Sequence, residues 1–172
     1  MFDNLQRDSA RYADLGGGLR NLGFWVGASC RFGAWALRIR FTALRWPLKL
    51  IAALVRLPIL LFLNTDIPVA TRIGAGLCLP HPFNIVMGGG VEIGRDCTIF
   101  HEVTLGRGPL PGEPRIGDHV VLFVGARVLG GVIVGERAEI GANCVVTRSV
   151  PPDSVVVTAS RVLPQTLIRP AA

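Results

Sequence analysis

The chain has 172 residues, half of them hydrophobic, with 18 Lys and Arg against 12 Asp and Glu. That supplies one core and a modest extension, and it excludes intrinsic disorder, which needs low hydrophobicity with high net charge. The 21 glycines follow no three-residue period, so a collagen-type helix is excluded too.

The excess charge lies at the amino-terminal end. Residues 1–60 carry nine Lys and Arg against Asp3, Asp8 and Asp14, whereas residues 61–172 carry nine of each sign. No acid occurs between Asp14 and Asp66, and Trp25, Trp35, Trp46, Phe24, Phe32 and Phe41 interleave with arginines. Residues 1–63 are expected to be a basic, apolar α-helical segment. It is either a cap packed on the next domain or a contact with an anionic membrane surface through residues 15–60. Nucleic acid is not expected, since no recognised binding module accompanies the basic residues. The most apolar stretch, Leu57 to Asn64, is eight residues long and contains Pro58. A membrane-spanning helix needs about 20 residues, so none is expected. Met1–Ala13 is polar and charged, unlike a cleavable signal peptide.

From residue 67 an apolar residue recurs every six positions: Ile67, Ile73, Leu79; then Met87, Ile93, Ile99, Leu105; then Ile116, Leu122, Val128, Val134, Ile140, Val146. Glycine follows directly after Ile73, Met87, Ile93, Leu105, Ile116, Val134 and Ile140. Four residues after the apolar position stands a small or β-branched one, as at Cys97, Val103, Val120, Ala126, Val132, Ala138 and Cys144. Neither a helical nor an alternating period fits. A six-residue unit of short strand and turn does, with glycine taking backbone angles that other residues avoid. Three units close a triangular coil, and coils stack about 4.8 Å apart.

Two interruptions break the period. Leu79 to Met87 is two residues too long and contains His81, while Leu105 to Ile116 is five too long and contains the Gly/Pro loop 106–115. A regular solenoid has no structural need for either, so both are candidate functional segments. Cys30, Cys78, Cys97 and Cys144 have no metal-type spacing and read as reduced core fillers of a cytosolic protein.

At Thr65-Asp66-Ile67, Arg72-Ile73-Gly74, His81 with Ile85-Val86, Val103-Thr104-Leu105-Gly106, Gly125-Ala126-Arg127-Val128-Leu129-Gly130 and Val150-Pro151-Pro152, the sequence resembles the hexapeptide-repeat acyltransferases. Within them it is similar to serine O-acetyltransferase and to the shortened serine-acetyltransferase-like enzymes of polysaccharide biosynthesis. The resemblance implies a mainly β protein: a left-handed parallel β-helix over residues 64–163, a C-terminal tail over 164–172, and assembly as a homotrimer with active sites between subunits. It further implies acetyl-CoA as co-substrate, with no metal.

Moving an acetyl group from a thioester to an alcohol needs a base for the hydroxyl proton and donors for the oxyanion. Histidine suits the first task, since its ordinary pKa of about 6.5 leaves a neutral fraction at neutral pH. By resemblance His81 is the catalytic base and Asp66 the carboxylate that orients it. His101, one coil plus two residues further on, stacks over His81 and is a candidate for site support, as is Glu113. His119 reads as a solvated turn residue. For CoA, the candidates are the Gly106 amide, Ala126 and Arg127 along the groove, and Arg148 as a phosphate partner.

The departures from serine acetyltransferases concern acceptor and partner. Pro80 stands where their aspartate precedes the histidine, and Gly112-Glu113-Pro114 replaces their Arg-His pair in a shorter loop. Thr158-Ala159-Ser160-Arg161 is a reduced form of their Gly-Val-Pro-Ala-Arg, and Arg169-Pro170-Ala171-Ala172 lacks the ending that docks cysteine synthase, so no such complex is expected. A zwitterion without its paired charges binds poorly. The favoured reading is therefore an acetyl-CoA-dependent O-acetyltransferase acting on a sugar hydroxyl, cytoplasmic or peripheral at the inner face of the membrane. The alternative is a true serine O-acetyltransferase. A γ-class-like zinc hydratase and a non-catalytic trimeric scaffold stand further off.

Overall fold

A computed structural model describes residues 2–158. Three helices come first: α1 (Phe2–Ala10), α2 (Leu22–Arg38) and α3 (Thr42–Leu63), with two 3-10 turns between α1 and α2. Twelve strands of two or three residues follow, from β1 (Arg72–Ile73) through β2 (Val86–Met87), β3 (Glu92–Ile93), β4 (Thr98–Ile99), β5 (Thr104–Gly106), β6 (Arg115–Ile116) and β7 (Val121–Leu122). The remainder are β8 (Arg127–Leu129), β9 (Ile133–Val134), β10 (Glu139–Ile140), β11 (Val145–Val146) and β12 (Val155–Val156). The expected tail 164–172, the last residues of the expected 64–163 unit and Ala159, Ser160 and Arg161 lie outside the described residues.

The strands form three parallel sheets, ordered β1-β3-β6-β9, β4-β7-β10-β12 and β2-β5-β8-β11, so each strand pairs with the one a coil away. Register records both interruptions. Val86 pairs with Thr104 and Arg127 with Val145, each eighteen residues apart. Arg72 pairs with Glu92 across twenty, and Thr104 with Arg127 across twenty-three. The last coil tightens, pairing Glu139 with Val155 across sixteen. The six-residue apolar positions line one core, with Leu79, Ile99, Leu105, Leu122, Val128 and Ile140 fully buried, and the small positions Cys97, Ala126 and Ala138 fill its corners. Burial pushes the Cys97 and Cys30 thiols up to about 11, which keeps them protonated at neutral pH.

The glycines that follow the apolar positions do not serve the purpose expected of them. None of Gly74, Gly88, Gly94, Gly106, Gly117, Gly135 and Gly141 has positive φ. The left-handed turn residues lie two positions further on, at Gly76, Asp96, His119 and Arg137, with φ between 55° and 83°. What requires glycine is the approach of the next coil: a Cβ on Gly117 would stand 2.8 Å from the Glu136 nitrogen and 3.0 Å from the Val134 oxygen. Gly117→Ala must push two coils apart and is expected to cost about 1–3 kcal/mol, read as a lowered urea midpoint at unchanged slope.

Among the described residues no strand lies beneath the first coil, and the helices satisfy several of its free backbone groups. Asp8, 2% exposed, accepts from the amides of Gly76 at 2.8 Å and Leu77 at 3.0 Å. Arg31 donates to Asp8 at 2.5 and 2.8 Å and to the carbonyls of Ile73 and Gly74 at 3.1 and 2.7 Å. The Tyr12 hydroxyl accepts from the Leu79 amide at 2.8 Å. Arg7 pairs with Asp96 and holds its carboxyl below the usual carboxylate range. Of the two readings of the basic segment, α1 and α2 are the cap.

α3 differs from expectation. It runs unbroken for 22 residues through Pro47 and Pro58, and it is long and apolar enough to cross a membrane. The stretch from Leu57 is only its last third, and Arg45, Lys49 and Arg56 before it share one stripe instead of interrupting the whole circumference. On the inner side Ile59 and Leu63 pack against the solenoid core.

Candidate active site

The two interruptions fall at opposite borders of one sheet. The His81 segment enters β2 and the 106–115 loop leaves β5, so the outer face of β2-β5-β8-β11 lies between them. Asp66, bridged to Val86, begins its outward column, which continues through Val86, Thr104, Arg127 and Val145.

At the first border the extra residues make a tight corner. Phe83 donates its amide to the His81 carbonyl at 2.9 Å, and Asn84 turns with φ 55°. The corner is tied to the end of α3: Thr65 Oγ1 donates to the Pro82 carbonyl at 2.7 Å, and the Asn84 amide to that of Leu63 at 2.9 Å. These bonds fix the loop and leave the His81 side chain exposed. His101 stands one coil above, its ring edge-on to that of His81 at 5.9 Å between centroids. Its Nδ1 is buried and has no hydrogen-bond partner among the described residues. An unsatisfied buried nitrogen is costly, and at a corner beside an exposed histidine it fits a polar ligand atom or a water.

Asp66 is not joined to His81. Its Oδ1 accepts from Arg56 of α3, and among the described residues its Oδ2 accepts no hydrogen bond. Arg56 is the residue the sequence reading missed. The signal for it was the common stripe of Arg45, Lys49 and Arg56, which leads to the helix end next to Asp66.

At the second border the loop is held from both sides. Glu113 accepts from the Gly90 amide at 2.6 Å and lies 3.6 Å from Arg107, so its carboxylate anchors the loop to the coil below. The Gly130 amide donates to the Gly106 carbonyl at 2.8 Å. Unlike the coil-contact glycines, Gly106 has open space where a side chain would stand, with no atom within 4 Å. Gly106→Val is expected to leave the unfolding midpoint unchanged and to raise the acetyl-CoA Kd about tenfold, or about 1.4 kcal/mol, by titration calorimetry.

The remaining candidates are dispersed. The Ala126 methyl is fully buried, its amide donates to Phe123 and its carbonyl accepts from Thr104, so it offers a ligand no free group. Arg127 is exposed on the sheet face and donates to the Gly125 carbonyl at 3.2 Å. Arg148 is exposed in a shallow groove at the last coils, with Val145, Pro151 and Val155. His119 sits at a different corner, 3.9 Å from Asp96, and does not join His81 and His101 within one subunit. A cleft of about 590 Å³ between α2 and β1, lined by Trp35, Arg38 and Arg72, belongs to the cap and lies away from His81.

Residues 113–148 match the family described as bacterial transferase hexapeptide (six repeats). A serine acetyltransferase of Mycobacterium tuberculosis is 43% identical over 97 residues, covering 55% of this chain and 42% of that protein. One of Bacillus pumilus is 36% identical over 126 residues, covering 72% of this chain and 58% of that protein. Among solved structures, a serine acetyltransferase in complex with CoA superposes with TM-score 0.75 at 28% identity, covering 92% of this chain and 68% of that one. A Neisseria gonorrhoeae serine acetyltransferase in complex with serine gives 0.72 at 27% identity, covering 91% and 66%. The chain spans about half the length of the curated relatives it matches. Likeness to these structures supports the expected left-handed winding.

Proposed function

We propose that this chain, a hexapeptide-repeat protein similar to serine acetyltransferases, moves an acetyl group from acetyl-CoA to an acceptor hydroxyl, and that the acceptor is L-serine. The carrying observation is that the two insertions into the six-residue period between Ile67 and Val146 bracket one sheet face, with the exposed His81 at one border and the open Gly106 at the other. The relatives are named for serine, which weighs against the sugar hydroxyl expected from the sequence.

In this reading His81 takes the hydroxyl proton as the oxygen attacks the thioester carbonyl. Collapse of the tetrahedral intermediate expels the CoA thiolate, which recovers that proton. Asp66 steadies the imidazolium, the part an acid plays beside a catalytic histidine, and must share its carboxylate with Arg56 to do so. His101 offers its free Nδ1 to the acceptor. Gly106 lets the acyl-pantetheine arm approach the backbone, with Arg127 and Arg148 as phosphate partners further along. A homotrimer with the sheet face between neighbouring subunits goes with this reading, as does the cytoplasm, where acetyl-CoA is available.

One observation favours a neutral sugar hydroxyl instead. Pro80 supplies no carboxylate for an ammonium group, and the Glu113 carboxylate is already taken up by Gly90. Release of CoA thiol from acetyl-CoA with L-serine as sole acceptor tests the proposal. Serine-dependent release supports it; acetyl-CoA binding with no response to serine, but release with glycan hydroxyls, moves the acceptor to sugars. Absence of acetyl-CoA binding overturns both.

A further inference from the structure

The outer side of α3 is the surface neither the cap nor the sheet face uses. At 3.6 residues per turn, Arg45, Lys49 and Arg56 fall within an arc of about 40°. The same arc holds Leu63, which packs on the solenoid, so the cations lie on the protein-facing side. Apart from Thr42 at its first position, every other residue of the helix is apolar. Trp46, Leu50, Leu54, Leu61 and Phe62 are each more than half exposed, up to 83% at Phe62. A contiguous exposed face of this kind marks a binding surface.

Its surroundings identify the partner. Arg38 and Arg40 lead into the helix, and no acid lies between Asp14 and Asp66. We infer that α3 docks on a bilayer of anionic phospholipid, lying in the plane of the interface, with its apolar side among the acyl chains and Arg38, Arg40, Arg45 and Lys49 at headgroup level. Cations on one face with Leu, Trp and Phe on the other is the arrangement of an interfacial helix. Lys49 sits 5.7 Å over the Trp46 ring, which keeps the ammonium beside an aromatic suited to the same depth.

The helix meets the length for spanning, but its own contacts oppose it. The Arg56–Asp66 pair, the Asn84 amide on the Leu63 carbonyl at 2.9 Å and the packing of Ile59 and Leu63 fasten it to the solenoid. A second copy is the other conceivable cover. It would cover the apolar side and leave Arg38, Arg40, Arg45 and Lys49, which have no acidic partner among the described residues, without counter-charge, whereas a lipid surface supplies phosphates to them.

The test is co-flotation of the full chain with vesicles of phosphatidylcholine alone and of phosphatidylcholine mixed with phosphatidylglycerol. Binding to the mixed vesicles, weaker binding to phosphatidylcholine and weakening by salt are expected. Arg40→Gln and Arg45→Gln should each lower the partition about fivefold, from about 1 kcal/mol per cation. The double variant Leu54→Glu/Leu61→Glu should abolish binding while keeping the parental unfolding midpoint, since both side chains are exposed. Equal binding to both vesicles overturns the role of charge. Failure to float, or a fall in oligomeric mass in solution on Leu54→Glu/Leu61→Glu, overturns lipid as the occupant. Acetyl-CoA binding, measured alongside, reports on the sheet face, so the two proposals stand or fall separately.

Discussion

His81→Ala should lower kcat for acetyl transfer about 10²–10⁴-fold, the range contributed by a positioned general base. Acetyl-CoA affinity should be unchanged. The separation is expected because His81 is exposed, makes no side-chain hydrogen bond among the described residues and stands across the sheet face from Gly106. Its loop is held by Thr65, Pro82 and Asn84 through bonds that the imidazole does not join, so the unfolding midpoint should stay with the parent. CoA thiol release under saturating acetyl-CoA, with affinity measured independently, makes the comparison. A variant with parental kcat would remove His81 from the chemistry and leave His101 as the remaining candidate at that corner. Loss of affinity without loss of kcat would mean that the ring binds donor and carries no proton.

Asp8→Ala should be the most destabilising single change, about 3–5 kcal/mol, because it strips one partner from a buried ion pair. The Arg31 guanidinium, 8% exposed, keeps its bonds to the Ile73 and Gly74 carbonyls but loses its counter-charge. The Gly76 and Leu77 amides lose their acceptor at the same time. Urea unfolding of Asp8→Leu, Arg31→Met and Asp8→Leu/Arg31→Met makes a double-mutant cycle. The double variant should cost much less than the two single changes together, since it leaves no isolated charge. Additive costs would show that the two residues act independently, Asp8 through the amides and Arg31 through the carbonyls.

The β-helix was legible because its period is set by geometry: each coil must turn an apolar side chain inward every sixth residue, and Ile67 through Val146 do so. The reason for the glycines was not legible, because crowding between Gly117 and the Glu136 turn depends on atoms a full coil away in the sequence. His81 and the 106–115 loop could be found as breaks in that period. The Asp66–Arg56 pair could not, because it depends on how α3 lies against the first coil. α3 itself was misread for a related reason. A search for an uninterrupted apolar run finds only Leu57 to Asn64 with Pro58, whereas on the helix surface Arg45, Lys49 and Arg56 share one side and the rest of the 22 residues is nearly all apolar.

The seal over the first coil gives the solenoid a direction. Edge strands are templates for further strands, and a stack of identical coils is a ready nucleus for end-to-end fibres. With Asp8, Arg31 and Tyr12 occupying the amides and carbonyls that a lower coil would use, that end cannot seed polymerisation or accept an added repeat. Lengthening by duplication is confined to the stretch above the loop, where Arg115 to Ile133 and Arg127 to Val145 keep the eighteen-residue spacing. An extra coil spliced there would raise the top of the stack by about 4.8 Å and leave both interruptions in register with each other.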